Sequence, residues 1–279
     1  GVQTCALPIY YGEQDVKEAA RAFTGWSIEP ETGEFLFRRP AHDEGVKTLL
    51  GRSGNFDGDA VLDILLAQPQ TAEFVVGKLW REFVSPHVDA VEVKRIARMF
   101  RDNRYNIRVA LRALLTSDAF YAPQNRAALI KSPVDLIVGT LRQFRFETGE
   151  VAPFLLAARQ LGQDMFAPPN VKGWPGGDAW INSATLLSRK QFLERLFRAQ
   201  EMRPAAAPLP ADAPPRERFT RALSDIYFDS ERWMKSFPPG DTALTRVVLA
   251  TEPASATGNA AQGVQRLREL VLDPAYQLK

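Results

Sequence analysis

His42-Asp43-Glu44-Gly45-Val46-Lys47 sets an imidazole beside two carboxylates, with an amine four residues beyond Asp43. An imidazole gains and loses a proton near neutral pH and can also bind a metal, so a histidine among acids in a loop suits general acid–base work. The chemistry these residues could do is that of a hydrolase or lyase in which His42 and Asp43 form the acid–base pair, with Lys47 as a ligand contact. The same residues fit a second purpose. Asp43 and His42 could satisfy backbone groups of a turn that leaves a hairpin.

A second cluster runs from Leu161 to Arg189. Pro168, Pro169, Pro175, Gly173, Gly176 and Gly177 surround Trp174 and Trp180, and neither a helix nor a strand holds so many breakers. A fixed loop is expected, and such loops on helical scaffolds often carry function. Trp174 and Trp180 could offer flat platforms to a sugar or peptide, with Asn170, Lys172, Asp178 and Asn182 as polar partners. Alternatively both indoles fill the core, a reading that Ile181 favours for Trp180 and that stands level for Trp174. The expectation is a cleft where the His42 and Trp174 loops converge. Arg21 and Lys131 face that cleft or snorkel along the surface.

Other chemistry is curtailed. His42 and His87 are the only histidines and Cys5 the only cysteine, so a zinc site with four nitrogen or sulfur ligands cannot be built from this chain. Calcium-loop, phosphate-loop and dinucleotide spacings do not occur, although an oxygen-rich cation site stays open, and no cofactor is indicated. Gly51-Arg52-Ser53-Gly54 does not make a nucleophile elbow, and His87 follows Pro86 in a turn between helices. A paired-carboxylate glycosidase stays open, because sequence does not say which acids meet. A net charge of +2 over 279 residues is too mild to argue for nucleic acid. No apolar run approaches the roughly 20 residues that cross a bilayer.

The elements that must hold these loops are mostly helical. Val16, Ala19, Ala20 and Phe23 recur at helical spacing over Glu13–Phe23, which Gly25 ends. Phe35 and Phe37 alternate with Leu36 and Arg38 after a turn at Glu31-Thr32-Gly33, which predicts a hairpin, and Lys47–Leu50 reads as a third short strand. Helices are then expected at 59–67, from Pro69 along Ala72, Val75, Val76, Leu79, Trp80 and Phe83, and at 91–101 and 107–116. Ser132-Pro133-Val134-Asp135 is a capped start, with Val134, Ile137, Val138 and Leu141 facing inward. Further helices are expected at 154–161, 183–200, 219–228 and 263–272. The fold class is mainly α: an irregular multi-helix bundle with a small hairpin or short sheet near residues 26–51. A helical core over 10–202, a Pro/Ala-rich connector at 203–215 and a C-terminal helical subdomain at 216–279 follow. Gly1–Ile9 reads as a translated sequencing adapter, the alternative being a natural irregular terminus.

Several blocks resemble the bacterial family known as domain of unknown function 1800. They are Tyr11 to Trp26, His42 to Gly51, Lys78-Leu-Trp-Arg-Glu-Phe83, Lys131 to Leu136, Gly162 to Phe166, Pro168 to Gly177, Trp180-Ile-Asn182 and the ending Asp273 to Gln277. The resemblance implies a mostly helical, commonly exported bacterial protein without an established activity. It also implies genetic neighbours similar to sulfatases and alkaline phosphatases. By that comparison the chain lacks an N-terminal half, where an export signal would lie. The resulting expectation is a periplasmic or secreted protein that binds a ligand such as carbohydrate, or assists polysaccharide or ester metabolism. The rivals are the His42/Asp43 enzyme, completed by missing residues, and a scaffold for a sulfatase-like partner.

Overall fold

The computed structural model describes residues 11–201, 226–255 and 262–279. Gly1–Ile9 and the 203–215 connector lie outside the described residues. The fold is mainly α, with two short antiparallel hairpins among the described residues. It divides into two compact units. One holds the residues up to Trp80 together with Val88–Thr116; the other holds Arg81–His87 and the described residues from Ser117 onward.

In the first unit, α1 (Glu13–Ala22) carries Glu13 and Asp15 at its positive end and Arg21 in its last turn. Its inward face differs from the apolar stripe expected. Val16 is 54% exposed, whereas Glu18 and Ala22 are buried. The cause is the neighbouring strand: Asp15 Oδ1 accepts from the Leu50 amide at 2.7 Å, and Glu18 Oε2 accepts from the Thr48 amide at 3.1 Å. Acidic side chains satisfy an unpaired strand edge, a need that outranks hydrophobic periodicity.

β1 (Trp26–Ile28) pairs with β2 (Phe35–Phe37), with Trp26 opposite Phe37. Phe35 and Phe37 are exposed and Leu36 is half-buried, the reverse of the expected alternation. The third strand is instead half of a separate hairpin: β3 (Lys47–Leu49) pairs with β4 (Arg52–Gly54). Leu50 and Gly51 join them, both with positive φ, the two-residue turn whose twist matches paired strands. Then come α2 (Gly58–Ala67), α3 (Pro69–Phe83), α4 (Ala90–Asp102) and α5 (Ile107–Leu115). Asp57, Asp89 and Asn106 cap α2, α4 and α5. On α3 the stripe Ala72, Val76 and Trp80 is buried as patterned, but Phe83 is exposed.

The second unit contains α6 (Asp118–Tyr121), α7 (Pro133–Gln143), α8 (Ala152–Gln160), α9 (Ser183–Glu201), α10 (Ser230–Met234), α11 (Asp241–Val248) and α12 (Gly263–Leu272). Ser132 opens α7 with a capping box completed by Asp135. Leu136, Ile137, Thr140 and Phe144 face the core, while Val138 is exposed. Phe144 centres an aromatic cluster with Phe197, Phe228 and Trp233 at ring separations of 4.9–5.6 Å. α9 packs on α12. Of the helix expected at 219–228, residues 219–225 lie outside the described residues and the remainder is extended. Tyr227 pairs with Glu147, while Ile226 and Phe228 are buried. Alternating burial is a strand's period, which three residues cannot announce in sequence.

Candidate functional site

The His42 loop is built from backbone constraint outward. Gly25 ends α1 at φ +84°, and a β-carbon there would stand 2.9 Å from the Arg38 carbonyl oxygen and 3.2 Å from His42 Cβ. Only glycine lets the chain after β2 come this close. His42 then follows a 3-10 turn (Arg39–Ala41). Its Nδ1 lies 2.9 Å from the Thr24 carbonyl oxygen. A carbonyl only accepts, so Nδ1 carries hydrogen and Nε2 holds the lone pair of the neutral ring. Phe37 meets the imidazole edge-on at 5.4 Å.

Asp43 is directed elsewhere. Arg21 donates to it twice, Nε to Oδ2 at 2.8 Å and Nη2 to Oδ1 at 3.1 Å, and the Gly45 amide donates to Oδ1 at 2.8 Å. These bonds stabilise the charged form and hold the carboxyl down to about 2. Among the described residues no hydrogen bond joins Asp43 to the His42 ring. Asp43 orients the loop instead, and its amide donates to Thr24 Oγ1 at 2.8 Å. Arg21 also donates to Glu18 at 2.9 Å, so it clasps α1 to the loop rather than snorkelling. Lys47 is buried, its amine donating to the Asp43 carbonyl and to Asn55 Oδ1. A buried amine with its donors spent inside is a brace. It is badly placed as a ligand contact.

The Trp174 loop lies in the second unit. Its backbone is pinned locally. Asn170 Oδ1 accepts from the Lys172 amide at 2.8 Å, and Asn182 Oδ1 accepts from the Thr185 amide at 2.9 Å, capping α9. Thr185 Oγ1 donates back to the Trp180 carbonyl at 3.0 Å. Gly173, Gly176 and Gly177 all have positive φ. Trp180 is 8% exposed and belongs to the interior, whereas Trp174 is half-buried. Lys172 and Asp178 are exposed. Two exposed apolar side chains accompany them: Phe166, with positive φ, at 93%, and Val171, fully exposed.

The sequence reading named Lys131 but not the side chains grouped with it. Lys131 sits 3.7 Å from the Tyr276 ring centre and donates to the Tyr276 carbonyl at 2.7 Å. Burial, aided by nearby Arg189, holds its amine down to about 8. Arg189 is completely buried. The available signal was a cation on the apolar stripe Leu186, Leu193, Leu196 of α9.

Among the described residues no group of three or more His, Cys, Asp or Glu could hold a metal ion. No described helix is long and apolar enough to cross a membrane. A family model described as a protein of unknown function (DUF1800) matches residues 1–278. No curated protein and no solved structure matches the chain.

Proposed function

Because this chain belongs to the DUF1800 family, which brings no assigned reaction, we propose from its geometry a cell-envelope protein that binds carbohydrate through the 161–182 loop. Its role is then accessory to polysaccharide or ester metabolism outside the cytoplasm. The supporting observation is Phe166 and Val171, projected almost wholly into solvent from a loop whose turns are held by Asn170 and Asn182. Exposed apolar groups on a pinned backbone bind with little ordering cost, and apolar surface displayed in this way marks contact sites. Trp174, Lys172 and Asp178 supply the stacking face and the polar partners that a sugar needs.

The test is a fluorescence titration of the protein with neutral and acidic soluble polysaccharides, repeated for Phe166→Ala and Trp174→Ala. Affinity should weaken at least tenfold in either variant while the circular dichroism spectrum is unchanged. Binding at wild-type strength in both variants overturns the reading. So does failure of every polysaccharide tried, combined with capture of a sulfatase-like partner through the same loop.

One observation favours an enzyme instead: the Thr24 carbonyl fixes the tautomer of His42 with the lone pair on Nε2, as a general base requires. In that reading His42→Ala of the full-length protein loses turnover and keeps substrate affinity. Asp43, clasped by Arg21, contributes position and not proton transfer.

A further inference from the structure

Arg189 occupies a core position of α9 with no exposure to solvent. Burying a guanidinium is costly unless its N–H groups find acceptors. Nη1 finds two, the Lys131 carbonyl at 2.9 Å and Gln277 Oε1 at 3.2 Å. Among the described residues Nε and Nη2 have none, and neither does Nε2 of Gln277, the side chain whose Oε1 meets Nη1. Nε and Nη2 form one edge of a planar fork, spaced to engage two oxygens of one group side by side.

The carboxylates near this edge are engaged elsewhere. Lys279 donates to Asp135 Oδ2 at 2.7 Å and to Glu82 at 3.1 Å, and Asp135 also accepts from the Ser132 amide at 3.0 Å. Asp135 is the carboxylate whose field reaches both Lys131 and Arg189. Three cations, Lys131, Arg189 and Lys279, therefore share Asp135 and the largely exposed Glu82. Among the described residues, none of these carboxylates hydrogen-bonds the Nε/Nη2 edge of Arg189.

The geometry points to a receptor for a single carboxylate at the Nε/Nη2 edge of Arg189, with Gln277 Nε2 as its third donor. A carboxylate supplies two coplanar oxygens at the spacing of that edge and a negative charge to offset a buried guanidinium; a tetrahedral anion matches the planar fork less well. Entry requires only local opening. Gln277 rides on the short pairing of 129–131 with 277–279, held by the Leu129, Lys131 and Lys279 amides at 3.2, 2.8 and 2.7 Å. So few backbone bonds open cheaply compared with a helix. This site is independent of the carbohydrate reading of the 161–182 loop.

The experiment follows the Arg189 Nε–H resonance and the melting temperature of isotope-labelled protein titrated with sodium acetate. Ionic strength is held constant with sodium chloride, and sulfate and phosphate are run in parallel. Acetate should move the resonance saturably and raise the melting temperature, since a ligand bound only by the folded state stabilises it. Gln277→Glu keeps the oxygen that faces Nη1 and installs a carboxylate within the chain. It should raise the melting temperature without acetate and abolish the acetate response. Arg189→Lys keeps the charge but loses the fork, and should also lose the response. If Arg189→Lys does not fold, the Gln277→Glu arm still decides the matter. An Arg189 resonance indifferent to acetate, a stronger response to sulfate or phosphate, or an acetate response that persists in Gln277→Glu each overturns the proposal.

Discussion

Arg21 holds Asp43 by a two-pronged clasp, 2.8 and 3.1 Å, across 22 residues of chain. Gly45 makes the clasp possible, because a β-carbon there would lie 2.7 Å from Arg21 Nη2. The pair converts what reads as an acid–base dyad into a fastener between α1 and the loop after β2. The imidazole next to it keeps a separate hydrogen bond, to Thr24.

Asp43→Asn should lower the melting temperature at neutral pH and flatten its acid limb. The folded-state carboxyl lies at about 2 against an ordinary 3.8. Its contribution is therefore complete above 3.8 and is lost as pH falls through about 2. Melting curves of the two proteins should converge across that window; a constant gap down to pH 2 would mean that the clasp does not act through charge.

His42→Ala should cost about 1 kcal/mol by urea unfolding, the usual worth of one hydrogen bond, since the Thr24 carbonyl loses its donor. The Phe37 contact adds to this cost. An unchanged denaturation midpoint would show that the imidazole is structurally idle, and would leave Nε2 as its only reason for being there.

The two ends of the Trp-rich loop should respond oppositely. Trp180→Ala, which opens the interior, should cost roughly 3–5 kcal/mol, whereas Val171→Ser should change stability by less than about 0.5 kcal/mol. Chemical denaturation checks both. Comparable losses would mean that Val171 is covered in solution.

Lys131 should leave its mark at alkaline pH. Its amine titrates at about 8 in the folded protein against an ordinary 10.5, so the unfolded chain binds more protons between those values and stability rises with pH there. Removal of the buried charge is worth on the order of 3 kcal/mol. Lys131→Met should erase that rise, leaving a flat profile from about pH 8 to 10.5 relative to wild type; an identical slope would place the amine in solvent.

What the sequence announced was local. Ser132-Pro133-Val134-Asp135 contains its own capping chemistry and starts α7 where expected. Pro69, the Glu31-Thr32-Gly33 turn and the breakers around Trp174 likewise act over a few residues. What it withheld depends on distant partners. The acidic face of α1 follows from the Thr48 and Leu50 amides, 30 and 35 residues on, and no periodicity encodes a strand edge in need of acceptors. Arg189 is a cation on an apolar stripe, a signal the sequence reading passed over, and its partners Gln277 and the Lys131 carbonyl lie 88 and 58 residues away. The inversion at Phe35 and Phe37, with Leu36 half-buried between them, likewise follows from which side of the hairpin is covered, which alternation alone does not state.

The route of α3 has a consequence for how this chain can be divided. It enters the second unit at Arg81, the chain stays there through His87, and only then does it return to complete the first unit at Thr116. Neither unit is a cassette: any single cut strands a splinter of one inside the other. A ribosome that has delivered Thr116 has finished the first unit yet still holds seven residues awaiting partners not yet synthesised, so shuffling, truncation or grafting must respect three crossings rather than one.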